Sequence, residues 1–130
     1  MRGRTLVAWL FPGQGSQHKG MGGELFTEFP ALVQEASDIL GYSLTELCLA
    51  DPERRLAQTE FAQPALYCVN ALALRKRLQD AAEPQFYAGH SLGEYNALEA
   101  AGALEFAAGL RLVARRGKLM AAARDGGMAA

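Results

Sequence analysis

Histidine and cysteine are both scarce in this chain, and neither is spaced for metal or disulfide chemistry. The 130 residues hold two of each, His18 and His90, Cys48 and Cys68. Two cysteines set within or beside apolar helical patterns form neither a zinc-ligand spacing nor a disulfide framework, so buried free thiols are expected and a metal is not. Excess charge is lacking too. A net charge of −1 offers no basic surface for nucleic acid and no acidic tract for a disordered tail. No apolar run approaches the ~20 residues needed to cross a bilayer. "MRGRTLVAWLF" briefly imitates a signal peptide, but "PGQG" interrupts it and no small-residue cleavage site follows. Repeats, low-complexity tracts and linkers are missing as well. These absences leave a cytoplasmic protein of single-domain size, half of it hydrophobic and able, if complete, to bury roughly two-thirds of its surface.

What is present is an alternation of short apolar strands and helices. "PALVQEASDILG" places Leu32, Val33, Ala36, Ile39 and Leu40 on one helical face, with Pro30 near its start and Gly41 at its end. "SLTE" at 43–46 is a capping box. "DPERRL" sets Pro52 at a first helical position after a capping Asp51. Pro64 to Leu78 and Glu105 to Ala122 read as longer helices, and the basic end "RKRL" of the former suits its dipole. Strands are expected from Leu6 and within "PQFYAG", at 84–89. Two apolar strands among several helices predict an α/β layer fold with a parallel sheet.

The second strand runs into "GHSLG" at 89–93, and "LGEYNALEAAG" continues with helical spacing. Strand, Gly-x-Ser-x-Gly and helix in that order form the setting of a nucleophile elbow. Gly89 and Gly93 would let the strand and helix approach closely. Ser91 would then project at a helix N-terminus that favours negative charge. A serine nucleophile needs a base, and here the sequence falls short. No histidine follows Ser91. The adjacent His90 should point the opposite way along an extended segment and pack behind the elbow, and His18 sits in a polar stretch.

The helix from Glu105 carries an anomaly. Arg111, Arg115 and Lys118 share one charged face, whereas Arg116 falls among Gly109, Leu112, Val113, Leu119 and Met120 on the other. A guanidinium there is costly without an anion. Snorkelling or a structural salt bridge would account for it; so would a fork that receives a ligand's carboxylate in bidentate fashion.

Taken in order, "FPGQGSQ" from Phe11, "QPAL" at 63–66, "GHSLGE" from Gly89 and "RRGKLM" at 115–120 resemble the malonyl-CoA:acyl-carrier-protein transacylases, acyltransferases of fatty-acid and polyketide synthesis. The resemblance runs from about Leu6 to Ala130. It implies an α/β-hydrolase-like core, of which this chain would be the N-terminal part, ending before a small ferredoxin-like subdomain. It also implies a Ser–His dyad whose histidine lies downstream, outside these residues. By the same resemblance the backbone N–H groups of Gln14 and Leu92 form an oxyanion hole, and Arg116 binds the free carboxylate of a malonyl group. Malonyl-CoA and an acyl carrier protein would be the partners, with no cofactor beyond the CoA thioester substrate. Leu92 favours malonyl, because relatives that take methylmalonyl often carry glutamine there.

The segments "DPERRLAQTEFAQPALYCVNAL" and "GHSLGEYNAL" are most like free-standing transferases that serve polyketide synthases in trans. Only ten residues precede "FPGQG", which leaves no room on this chain for an upstream ketosynthase. Two other functions fit the same residues: an acyl-carrier-protein hydrolase of the same fold, and a non-catalytic carrier-protein docking module, for which the missing histidine argues.

Overall fold

The computed structural model describes residues 5–127. Strand β1 (Ala8–Phe11) pairs in parallel with β2 (Phe86–Gly89), with Ala8 opposite Phe86 and Phe11 opposite Gly89. Four helices lie between them in sequence: α1 (Leu25–Glu28), α2 (Pro30–Leu40), α3 (Leu44–Leu49) and α4 (Thr59–Asp80). After β2 come α5 (Gly93–Ala100) and α6 (Phe106–Ala122).

The helices form the core, and their most extensive packing is between α4 and α6. Tyr67 of α4 stacks on Phe106 at 5.6 Å and donates its hydroxyl to the Phe106 carbonyl at 3.1 Å. Gly109 provides the space for that hydroxyl, since a Cβ there would overlap it. The expected face of α2 is turned inward, with Val33 and Ala36 buried and Leu32, Ile39 and Leu40 half-buried against them. Ser43 Oγ accepts the Glu46 N–H at 3.1 Å, the cap expected of "SLTE". Cys48 and Cys68 are buried free thiols. Burial pushes the Cys48 thiol up to about 12 and Cys68 well above its ordinary value, so both stay protonated at neutral pH.

Three expectations need correction. Asp51 and Pro52 do not open an α-helix. Asp51 and Arg54 adopt left-handed φ of 41° and 55°, the helical piece is one 3-10 turn at Arg55–Ala57, and Asp51 Oδ1 accepts from the Leu56 N–H at 3.3 Å. The chain turns between α3 and α4 here, and Leu56, which is buried, anchors the turn.

Helix α4 begins five residues before the expected Pro64 and encloses that proline. Its burial from Ala62 to Leu72 reaches nearly all round the helix, which weakens the one-sided apolar signal by which ends are read.

In α6 the buried stripe is Phe106, Gly109, Leu110, Val113 and Gly117, while Leu112 and Leu119 are exposed. The stripe is therefore rotated from the expected face, and Arg116 stands at its rim rather than its middle.

The sheet is less enclosed. On the helix side, Phe11 is buried and Tyr87 packs between Trp9 and Phe11, edge-on to the first and stacked with the second. On the other side Ala8, Leu10, Phe86 and Ala88 form a bare apolar face, with Leu10 74% and Phe86 56% exposed.

Candidate active site

β2 ends at Gly89, α5 starts at Gly93, and the chain turns between them in three residues. A Cβ at Gly89 would overlap the Gly93 carbonyl and the Glu94 N–H, and one at Gly93 would overlap the Phe11 carbonyl. Both contacts are with backbone, so no side-chain movement could relieve them. At the apex Ser91 has a φ of 54°, a left-handed conformation that costs a non-glycine residue about 1–3 kcal/mol and that surrounding structure must enforce. The hydrogen bonds Gly93 N–H to His90 O (2.9 Å) and Glu94 N–H to Ser91 O (3.1 Å) help to enforce it.

Arg116 reaches this apex from α6. Its Nη2 donates to Ser91 Oγ at 3.0 Å and its Nη1 to Gln63 Oε1 at 2.7 Å. Among the described residues no carboxylate pairs with it. The contrast is Arg75, which meets Glu99 at 2.6 Å. A guanidinium carries five N–H donors. Two are engaged by neutral acceptors, and among the described residues the other three have no partner.

Gln63 is the site residue whose role sequence reasoning missed. It is completely buried. Besides accepting from Arg116, its Nε2 donates toward Gln14 Oε1 at 3.4 Å and contacts Met120 Sδ at 3.2 Å. The available signal was a glutamine among apolar residues near the start of α4. Asn70 and Asn96 were missed in the same way. Asn70 Nδ2 donates to the Pro12 carbonyl (3.1 Å) and to Asn96 Oδ1 (3.0 Å), and Asn96 Nδ2 donates to the Tyr67 carbonyl (2.9 Å). This buried network ties the end of β1 and helix α5 to α4.

Gln14 lies on the exposed loop after β1, and its side chain is linked to Arg116 through Gln63. Leu92 follows Ser91, with its side chain fully buried in the core. The backbone N–H groups of Gln14 and Leu92 find no carbonyl acceptor among the described residues.

His90 departs from expectation. It is exposed, on the bare side of the sheet, instead of packed behind the elbow. Its N–H extends the sheet by donating to the Phe11 carbonyl at 3.0 Å. Its ring lies over Gly13, where a Cβ would come within 2.8 Å of Nδ1. The cause is the bare face itself, since no described layer covers the ring. His18 is also exposed, its Nδ1 contacts the Ser16 carbonyl, and it makes no hydrogen bond to Ser91.

A strained serine at a strand–helix turn, a cation beside it and an adjoining glycine-rich loop define a nucleophile-elbow site on an α/β layer. Residues 8–130 match the family model described as acyl transferase domain, and the chain belongs to that family. It is 56% identical over 126 residues to the polyketide biosynthesis malonyl CoA-acyl carrier protein transacylase BaeC of Bacillus velezensis, covering 96% of this chain and 44% of that protein. It is 62% identical over 129 residues to the polyketide biosynthesis protein ThaF of Burkholderia thailandensis, covering 98% of this chain and 11% of that protein.

Among solved structures, the malonyl CoA-acyl carrier protein transacylase of Burkholderia pseudomallei superposes with a TM-score of 0.91 at 55% identity, over 94% of this chain and 42% of that one. A malonyl-transacylase solved in complex with a type II polyketide-synthase acyl-carrier protein superposes at 0.81 and 45% identity, over 89% of this chain and 39% of that one. The chain is thus the N-terminal portion of a malonyl-transacylase-type acyltransferase fold, and it spans under half the length of these relatives.

Proposed function

We propose that this chain supplies the nucleophile, the oxyanion donors and the carboxylate receptor of an enzyme that moves malonyl groups from malonyl-CoA to an acyl carrier protein. Ser91 Oγ attacks the thioester carbonyl and gives up its proton to a base. The tetrahedral oxyanion is held by the N–H groups of Gln14 and Leu92, each such donor typically contributing about 3–4 kcal/mol. The C–S bond then breaks, CoA leaves as its thiol, and a malonyl ester remains on Ser91. In the second half the phosphopantetheine thiol of the carrier protein attacks that ester, and Ser91 regains its proton. Throughout, Arg116 holds the distal carboxylate. The observation that carries this reading is Arg116 itself: a cation aimed at the nucleophile, with neutral partners only among the described residues.

The base is a histidine in the part of the domain that lies beyond these residues, and the same part covers the bare face of the sheet. Residues 1–130 alone therefore transfer no malonyl group at a useful rate, since general-base assistance is typically worth about 10² to 10⁴. Names of the relatives support the choice of malonyl over other acyl groups and of an acyl carrier protein as acceptor. The test is to incubate the complete domain with labelled malonyl-CoA and map the label. It is expected on the peptide containing Ser91 and absent from Ser91→Ala; label that persists in Ser91→Ala would overturn the assignment.

A further inference from the structure

The loop bearing Gln14 is fastened more firmly than an exposed turn needs to be. Its first residues are pinned to the fold, Pro12 by Asn70 and Gly13 by close approach to His90. Its later residues close on themselves. Ser16 returns its Oγ to the Gly13 carbonyl at 2.8 Å, and Gly15 donates its N–H to Gln17 Oε1 at 2.7 Å. Gln14 stands between these two parts, followed by Gly15 at a φ of 111°.

An exposed amide would ordinarily turn freely in water, yet both ends of this one are engaged. Nε2 donates to Thr59 Oγ1 at 3.0 Å, and Oε1 faces Gln63 Nε2 at the longer 3.4 Å. Thr59 and Gln63 are four residues apart on the first turns of α4 and so share a face. The β-branch of Thr59 limits its hydroxyl to a small number of χ1 positions, one of which meets the Gln14 amide. Its backbone is fixed too, because α6 packs on it through Gly117, where a Cβ would lie 3.2 Å from the Thr59 carbonyl oxygen. Thr59 therefore belongs to the same rigid unit that carries Arg116.

We propose that Thr59 is a positioning residue: its hydroxyl anchors the Gln14 side chain and thereby aims the Gln14 backbone N–H at the oxyanion. This rests on the reading of Gln14 as an oxyanion donor. Losing a donor outright costs about 10²- to 10³-fold in rate; one that is only released from its aim should cost less, about tenfold.

The test is steady-state transfer by the complete domain carrying Thr59→Val, Thr59→Ser, Gln14→Ala and the Gln14→Ala/Thr59→Val pair. Thr59→Val, which keeps the shape but not the hydroxyl, is expected to lower kcat about tenfold for malonyl and acetyl donors alike, with KM and the malonyl preference unchanged. Thr59→Ser should recover most of the rate. The pair should lose no more than Gln14→Ala alone, since both changes cut one hydrogen bond. Wild-type kcat in Thr59→Val, a changed malonyl preference, or multiplied losses in the pair would overturn the proposal. Should the unsubstituted domain take no malonyl label on Ser91, the underlying reading fails with it; normal labelling beside an indifferent Thr59→Val refutes the positioning role alone.

Discussion

Two regions meet at Ser91, and they are finished to different degrees. The helical side is closed. Gln63 is enclosed and bonded to Arg116 and Gln14, Asn70 and Asn96 satisfy each other and two carbonyls, and Tyr67 is sealed against Phe106. The sheet side is open, with one parallel pair among the described residues and a bare row of Ala8, Leu10, Phe86 and Ala88. Parallel sheets are ordinarily covered on both faces. The difference teaches how labour is divided in the domain. In our reading, the groups that hold and orient the acyl unit sit on the closed side, and cover for the sheet and the base belong to the portion that the relatives carry beyond the matched stretch.

The sharpest way to break this division is at the seam. Replacing Gly89 by valine puts a branched side chain into the Gly93 carbonyl and the start of α5. The complete domain should lose about 3 kcal/mol or more of stability and all labelling of Ser91. A variant with wild-type melting and labelling would mean that the strand and helix can separate without harm. On the closed side, Leu110→Ala removes a fully buried side chain between α6 and α4 and should cost about 2–5 kcal/mol in denaturant unfolding of the same domain. On the open side, Leu10→Ser in the 130-residue chain should change stability by no more than about 0.5 kcal/mol while reducing its binding of an apolar dye. A loss matching that of Leu110→Ala would show that the chain by itself already covers Leu10.

Much of the fold was readable because its signals are local. Glycines 89 and 93 with the flanking strand and helix, the cap at Ser43 and the inner face of α2 each depend on residues close in sequence. The turn from Asp51 was misread because its geometry goes with the burial of Leu56 in the core, a tertiary constraint that the local pattern does not carry. Arg116 stood out as a charge near an apolar stripe. Yet the stripe was taken one step round the helix, since Gly117 counts as nothing in a hydrophobic pattern although it is buried where α6 meets the first turn of α4. Gln63, Asn70 and Asn96 were illegible as a group: each is one polar residue in a helix, and only tertiary contact shows that their bonds join the loop, the nucleophile and the cation. His90 was misjudged because, among the described residues, nothing covers the side of the sheet on which it lies.

The central claim is that Arg116, unpaired with any carboxylate among the described residues and bonded to Ser91, is the receptor for the second carboxylate of malonyl. The measurement that tests it most directly is the ratio of kcat/KM for malonyl and acetyl transfer by the complete domain, with and without Arg116→Ala. A charge-assisted hydrogen bond contributes roughly 1.5–3 kcal/mol. Since only malonyl presents that carboxylate, its preference over acetyl should fall by at least about tenfold. Equal losses for the two donors would contradict the claim and make Arg116 a structural brace for Gln63 and Ser91.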